Sequence, residues 1–284
     1  MRSNYINNIK TLVKDQDLRI KKSLGQNFLV DEQVMSAMIE SADLDKTDQV
    51  LEIGPGLGFL TDKILERSSR IIAIEKDKWL YRILSQKFKQ DNIKFINGDV
   101  FAVNLAKHKL DDLKYKIVSN IPYYLTSKLI RYFLEYKIRP SVMVILVQKE
   151  VAHRVVAPEG KHSLLSLSVQ YYGRPEIIMD VQSSSFFPSP DISSAILKIK
   201  VFNKPLFKDI NVKLFFWMLK IAFSSRRKQL HNNLASGLQA DSNVIKQILT
   251  DTELDPIIRA QDLSLDNWHK LYLNLRRSNL LSAN

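Results

Sequence analysis

The chain has 284 residues, 45% of them hydrophobic and 25% charged, which suffices for two domains with buried cores. It contains no cysteine, so disulfides, thiolate metal sites and cysteine nucleophiles are excluded. Lysine and arginine outnumber aspartate and glutamate by 42 to 30, and the net charge of +12 favours a polyanionic partner, because Lys and Arg displace counterions condensed on phosphates. In chain order, the N-terminus carries Asp15 and Asp17 and resembles neither a signal peptide nor an acid-poor transit peptide. From Gln49 to Val100 the pattern is strand, helix, strand, helix, strand. It comprises Val50–Ile53, Phe59–Arg67, Ile71–Ile74, Asp77–Phe88 and Ile93–Ile96. A strand at Tyr115–Val118, a helix at Thr126–Tyr136 and a strand at Val142–Val147 continue the alternation, and strands follow at Glu176–Val181 and Ala195–Val201. Apolar strands separated by helices of about a dozen residues predict a parallel sheet covered on both faces. After Pro205 only helices are predicted: Val212–Phe223, Arg227–Ala235, Asn243–Leu249 and Leu265–Leu275. The expected domains are therefore 1–204, an α/β body, and 205–284, a small all-helical domain.

No apolar run reaches the ~18 residues of a membrane span, and the five histidines have no metal-ligand spacing. The chemistry-bearing residues fall at the carboxyl ends of successive predicted strands, where open α/β sheets bind ligands. Glu52-Ile53-Gly54-Pro55-Gly56-Leu57-Gly58 ends one strand and opens a helix. Its glycines alternate instead of following the dinucleotide spacing, and residue 59 is Phe, so the loop suits a ligand lying across it without a phosphate. Glu75 ends the next strand, where an acid can accept both ribose hydroxyls of a nucleoside, and Asp99 ends the third, where it can meet an adenine amine. Either acid taken singly is more often a helix cap or loop residue. Asn120-Ile121-Pro122-Tyr123 ends the fourth. The Asn amide oxygen and the Pro122 carbonyl can accept from an exocyclic amine, and the Tyr123 ring can stack on the base that carries it.

These motifs, with 21-KKSLGQNFL-29, 146-LVQKEVA-152, 186-FFPSPDISSA-195 and 223-FSSRRKQL-230, resemble the S-adenosylmethionine (SAM)-dependent rRNA adenine N6,N6-dimethyltransferases in the family's order over nearly the whole chain. The resemblance implies a Rossmann-like, seven-stranded SAM methyltransferase sheet with a small C-terminal all-helical domain that binds RNA. It also implies SAM as cofactor. Asn27 and Leu29 would close over SAM, with Gly54 at its methionine part and Gly56 in the same loop. Glu75 would hold its ribose, Asp99 its adenine, and Asn120 would stand between the methyl and the target base. A paired adenine cannot be reached and must be turned out. Tyr123 would then hold one face and Phe186 the other, with Phe187 a rival for that second role.

Two basic clusters, Arg19/Lys21/Lys22 and Arg226/Arg227/Lys228, would touch RNA phosphates, the alternative being solvated helix faces. Gly25 and the Arg-Arg-Lys run resemble the branch that dimethylates two adjacent adenosines in the 3′-terminal hairpin loop of 16S rRNA. The expected partner is 16S rRNA within a small-subunit assembly intermediate, met by a cytoplasmic monomer with no metal and no membrane contact. His162-Ser163, where many small-subunit enzymes carry Tyr-Gly, and Asp191, where lysine is common, depart from the pattern. The alternatives are a large-subunit rRNA methyltransferase and a non-catalytic assembly or transcription factor. A DNA adenine methyltransferase, the third, would normally carry Pro-Pro after the Asn or acid and a larger recognition domain.

Overall fold

The computed structural model describes residues 2–15, 20 and 25–281. Arg19, Lys21 and Lys22 lie outside the described residues. The chain packs as two compact units, Met1–His153 with Gly173–Asn203, and Arg154–Tyr172 with Lys204–Asn284.

In the first unit, helix α1 (Arg2–Asp15) sends Ile9 into the core and sets Tyr5 4.7 Å from Phe59. A two-residue strand β1 (Phe28–Leu29) precedes α2 (Glu32–Ser41). The alternation follows as β2 (Gln49–Ile53), α3 (Phe59–Leu65), β3 (Arg70–Glu75), α4 (Lys78–Lys87), β4 (Ile93–Asn97), β5 (Tyr115–Asn120), α5 (Thr126–Glu135) and β6 (Val142–Gln148). Asp31 and Asp77 start α2 and α4 by accepting from the first free N–H groups of each helix. Helix α5 buries Leu129, Ile130 and Phe133 completely, a stripe worth about 1.5–3 kcal/mol per side chain.

Beyond β6 the chain forms α6 (Lys149–Val155), α7 (Leu164–Tyr172), β7 (Gly173–Val181), β8 (Phe186–Phe187) and β9 (Ser194–Val201). The seven-stranded sheet has the order β4-β3-β2-β5-β6-β9-β7, with β2 to β6 parallel and β9 antiparallel to both its neighbours. Strand order reverses between β2 and β5. Their pairing ends at Leu51↔Ile117. One step on, the Ile53 N–H donates 2.7 Å to the Ser119 hydroxyl instead of to a backbone carbonyl, so the two strand tips part. A separate ribbon pairs β1 with β8, Phe28 opposite Phe187 and Leu29 opposite Phe186.

The second unit contains α8 (Val212–Ala222), α9 (Leu230–Leu238), α10 (Ser242–Asp251) and α11 (Leu265–Arg277). Gly237 lets α9 approach α8 closely: a Cβ there would sit 2.2 Å from Ile221 Cγ2. Two sequence expectations are corrected. Residues 154–172 belong to this helical unit and not to a body spanning 1–204. The reason is that Tyr171 of α7 packs in one aromatic cluster with Phe207, Phe215 and Phe216. The helix expected from Arg227 starts at Leu230. The buried Asn233 amide donates to the carbonyls of Ala222 and Ser225 (2.7 and 2.9 Å) and holds the preceding segment as a loop.

Candidate active site

A cleft open at its mouth lies over the carboxyl ends of the parallel strands, where the parted tips of β2 and β5 leave room. It is lined by Asn27, Leu29, Gly54, Gly56, Glu75, Asp99, Asn120, Pro122 and Tyr123, so nine of the residues picked from sequence converge on one site. Gly54 turns the chain at φ +67°, a conformation costly for any residue with a Cβ.

Glu75 is 6% exposed, and burial pushes its pKa up to about 7. Its two oxygens accept from the Gly56 N–H (3.1 Å) and the Asp77 N–H (2.8 Å). Each carboxylate oxygen retains a further lone pair, so the group is oriented by backbone and still able to take two hydroxyl donors. Asp99 is more open. The Lys76 ammonium 2.9 Å away, with the Phe101 N–H, holds its carboxyl below the usual range.

The N-terminal strip is tied across the cleft. Gln26 donates to Asp77 (3.3 Å), β1 pairs with β8, and the Asn120 Nδ2 donates 3.0 Å to the Asn27 carbonyl. That last bond orients the Asn120 amide: one N–H of its nitrogen is engaged, and its oxygen meets no donor among the described residues. The strand ends two residues later than predicted, with Asn120 itself still paired opposite Leu146. Tyr123 is half-buried, and its hydroxyl bonds the Ser194 hydroxyl at 2.6 Å, which locks the ring. The Pro122 carbonyl accepts from the Leu125 N–H (3.0 Å) in a 3-10 turn. The Ile121 carbonyl, one residue earlier, meets no donor among the described residues, and Ile121 also lines the cleft.

Phe186 does not take the predicted place. It is 1% exposed, belongs to the core cluster and is absent from the cleft wall. Successive residues of a strand face opposite ways, so β8 turns Phe186 inward and leaves Phe187 partly exposed. Arg226, Arg227 and Lys228 are exposed in the helical unit, on the α8–α9 loop and not on a helix face.

Sequence reasoning missed Glu52. It lines the cleft at 1% exposure, accepts a 2.6 Å bond from the Thr61 hydroxyl, and burial drives its pKa up to about 8. The available signal was an acid inside an otherwise apolar strand, Val50 to Ile53. A carboxyl whose folded pKa is raised contributes stability that is full below its ordinary value of 4.5 and lost as pH rises through about 8. Glu52→Gln is therefore expected to melt near wild type at pH 5 and increasingly above it as pH rises to 8. Parallel melting curves across that range would show that Glu52 is already ionised in the folded protein.

The model of the ribosomal RNA adenine dimethylase family matches residues 17–275. A ribosomal RNA small subunit methyltransferase A from Dehalococcoides mccartyi is 40% identical over 265 residues, covering 93% of this chain and 91% of that relative. Its counterpart from Halothermothrix orenii is 40% identical over 278 residues, with 92% of each chain covered. Among solved structures, a dimethyladenosine transferase from Plasmodium falciparum has a TM-score of 0.75 at 23% identity, covering 89% of this chain and 98% of its own. The 23S rRNA methyltransferase ErmE has a TM-score of 0.71 at 23% identity, with coverage of 88% and 100%. These two likenesses establish a shared Rossmann-like methyltransferase fold.

Proposed function

The chain belongs to the ribosomal RNA adenine dimethylase family, and we propose that it dimethylates N6 of two adjacent adenosines in the 3′-terminal hairpin loop of 16S rRNA, with SAM as methyl donor. The observation that carries the site assignment is the orientation of Asn120. Its oxygen is presented as an acceptor beside the locked Tyr123 ring, in the cleft that also holds Glu75 and Asp99. The cleft fits the donor. It has a buried carboxyl with spare lone pairs for a ribose diol, a second acid for a ring amine, and apolar walls from Ile74, Leu80 and Val100.

When bound, SAM supplies an electrophilic methyl on its sulfonium. In this reading Glu75 holds the ribose, Asp99 the adenine, and Asn27, Leu29, Gly54 and Gly56 close around the rest. The target N6 is a weak nucleophile because its lone pair is delocalised into the ring. The Asn120 oxygen and a backbone carbonyl accept its two hydrogens and favour a pyramidal nitrogen, which frees the lone pair as the transition state forms. The Pro122 carbonyl accepts one bond in the turn and keeps a second lone pair, and the Ile121 carbonyl meets no donor among the described residues, so either can be that second acceptor. No strong general base is needed, since the alkylated nitrogen is acidic enough to lose its proton to water. Orientation and exclusion of solvent carry the rate.

Tyr123 stacks on the flipped base. For the opposite face Phe187 is partly exposed where Phe186 is buried, but it too packs against the core cluster and lies outside the cleft lining. Tyr123→Ala is expected to lower methyl transfer roughly tenfold or more with donor affinity retained. An equal loss of donor binding in calorimetry would place the ring in the donor pocket instead.

The first unit is assigned the chemistry and the helical unit RNA docking, with a monomer acting on a small-subunit assembly intermediate in the cytoplasm. Among the described residues no helix is long and apolar enough to cross a membrane. The test is primer extension on small-subunit rRNA from a strain lacking this chain, with and without its restoration. Restored stops at two adjacent adenosines are expected; unaltered rRNA would refute the reading.

A further inference from the structure

Tyr124 lines the cleft and is 57% exposed, and no step described above uses it. Its hydroxyl makes no hydrogen bond among the described residues. Core packing therefore does not account for the ring. It sits in the 3-10 turn Tyr123–Leu125, where successive side chains diverge by about 120°. Tyr123 turns toward β9, where Ser194 locks it, whereas Tyr124 turns toward the N-terminal strip and the residue that follows β3.

Two neighbours fix the place of Tyr124 on the rim. Gly25 of the strip lies against it: a Cβ added there would stand 3.5 Å from Tyr124 Cδ1 and 3.4 Å from Pro122 Cβ. Lys76 is near as well, with its ammonium bonded 2.9 Å from an Asp99 oxygen. The Lys76 pKa is raised, chiefly by that bond and the Asp99 charge and in smaller part by the Tyr124 phenol. Gly25, Tyr124, Lys76 and Asp99 all line the same cleft.

Asp99 is the acid assigned to the donor's ring amine, so the base it holds lies beside Lys76. A purine held only by its edge leaves its faces to water. Ile74, Leu80 and Val100 supply apolar wall. Tyr124 supplies an aromatic surface, and base–aromatic stacking is worth roughly tenfold in affinity or more. The Lys76 stem adds methylenes that can pack while its ammonium stays on Asp99.

We propose that Tyr124, backed by Gly25 and flanked by Lys76, is the outer wall of the donor pocket and covers the adenine of SAM. The two consecutive tyrosines then divide the substrates, Tyr123 taking the target base and Tyr124 the donor's base. This rests on the reading that SAM is the methyl donor. It is tested on the full chain as wild type, Y124A, Y124F, K76A and K76M. Binding of SAM is measured by calorimetry, and binding of 5′-methylthioadenosine, which keeps the adenine and ribose but lacks the amino acid, by competition with labelled SAM. Steady-state methyl transfer and RNA binding are measured beside them, with thermal melts to verify folding.

Y124A is expected to weaken both ligands by about tenfold. Its KM for SAM should rise by a similar factor, with kcat and RNA affinity near wild type. Y124F should bind as the wild type does, because the hydroxyl has no partner. K76A should lose more affinity than K76M, which keeps an unbranched apolar stem; equal losses would remove Lys76 from the wall. Wild-type SAM affinity in Y124A overturns the proposal. A loss for SAM with 5′-methylthioadenosine unaffected overturns it by placing the ring at the methionine end. A loss of RNA affinity with SAM bound normally overturns it by giving the ring to the nucleic acid. Failure of the wild type itself to bind SAM would refute the donor reading instead, so the two failures are told apart.

Discussion

Asn120→Ala is expected to lower methyl transfer by about 10²–10³-fold, the cost typical of removing one polar group that acts on the transition state. One N–H of the amide is bonded to the Asn27 carbonyl, which orients the group, and its oxygen meets no donor among the described residues. Alanine deletes that acceptor and also unties the strip bearing Asn27 and Leu29. Donor affinity should fall by a smaller factor, because Glu75 and Asp99 are untouched. Asn120→Asp keeps the shape but sets a carboxylate against the Asn27 carbonyl with no donor between them, so it should also fail to restore turnover. Single-turnover product measured by mass spectrometry decides the matter, with thermal melts to verify folding. Product formation near the wild-type rate in Asn120→Ala would remove the residue from the reaction.

Loss of Glu75 should strike the donor and not the base. Two hydrogen bonds from hydroxyls to a buried carboxylate are worth about 1.5–3 kcal/mol each, so Glu75→Ala is expected to weaken SAM binding by about 100-fold or more. The loss is compounded because the Gly56 and Asp77 N–H groups lose their acceptor and the glycine loop loses its anchor. A pH dependence follows from the same burial. Glu75 titrates near 7 in the free protein, and the hydroxyls of the ribose favour its ionised form. Donor affinity should therefore fall as pH drops below about 7, by at most roughly tenfold per unit, and reach its plateau above it. Without donor the sign for folding is opposite: the raised pKa contributes stability below the ordinary 4.5 that is lost as pH rises through about 7. Calorimetry of SAM binding between pH 5.5 and 8, on wild type and Glu75→Gln, separates the cases. A wild-type profile as flat as that of the variant would mean that Glu75 does not meet the donor.

Much of this site is legible in the linear chain. Acids and an Asn at the ends of apolar strands have no packing reason to recur there, and in an open α/β sheet strand ends face the ligand. Phe186 is misread from sequence for the opposite reason: the side of a two-residue strand a ring faces depends on its partner, and β1 lies more than 150 positions away in sequence. Local pattern assigns Arg227 to a helix, whereas the Asn233 amide bonds hold that stretch as a loop. Glu52 escapes notice because an acid in a strand reads as a surface residue until its Thr61 partner is seen.

Sequence alone determined the strand–helix alternation, the family and the set of residues that meet at the strand ends, because local periodicity and motif order are properties of the linear chain. The tertiary structure decided the placement of β9 between β6 and β7, the membership of 154–172 in the helical unit, and the direction in which the Asn120 amide faces. Each of these rests on contacts between segments far apart in the chain, whose free energy depends on distance in space and leaves no mark on neighbouring residues.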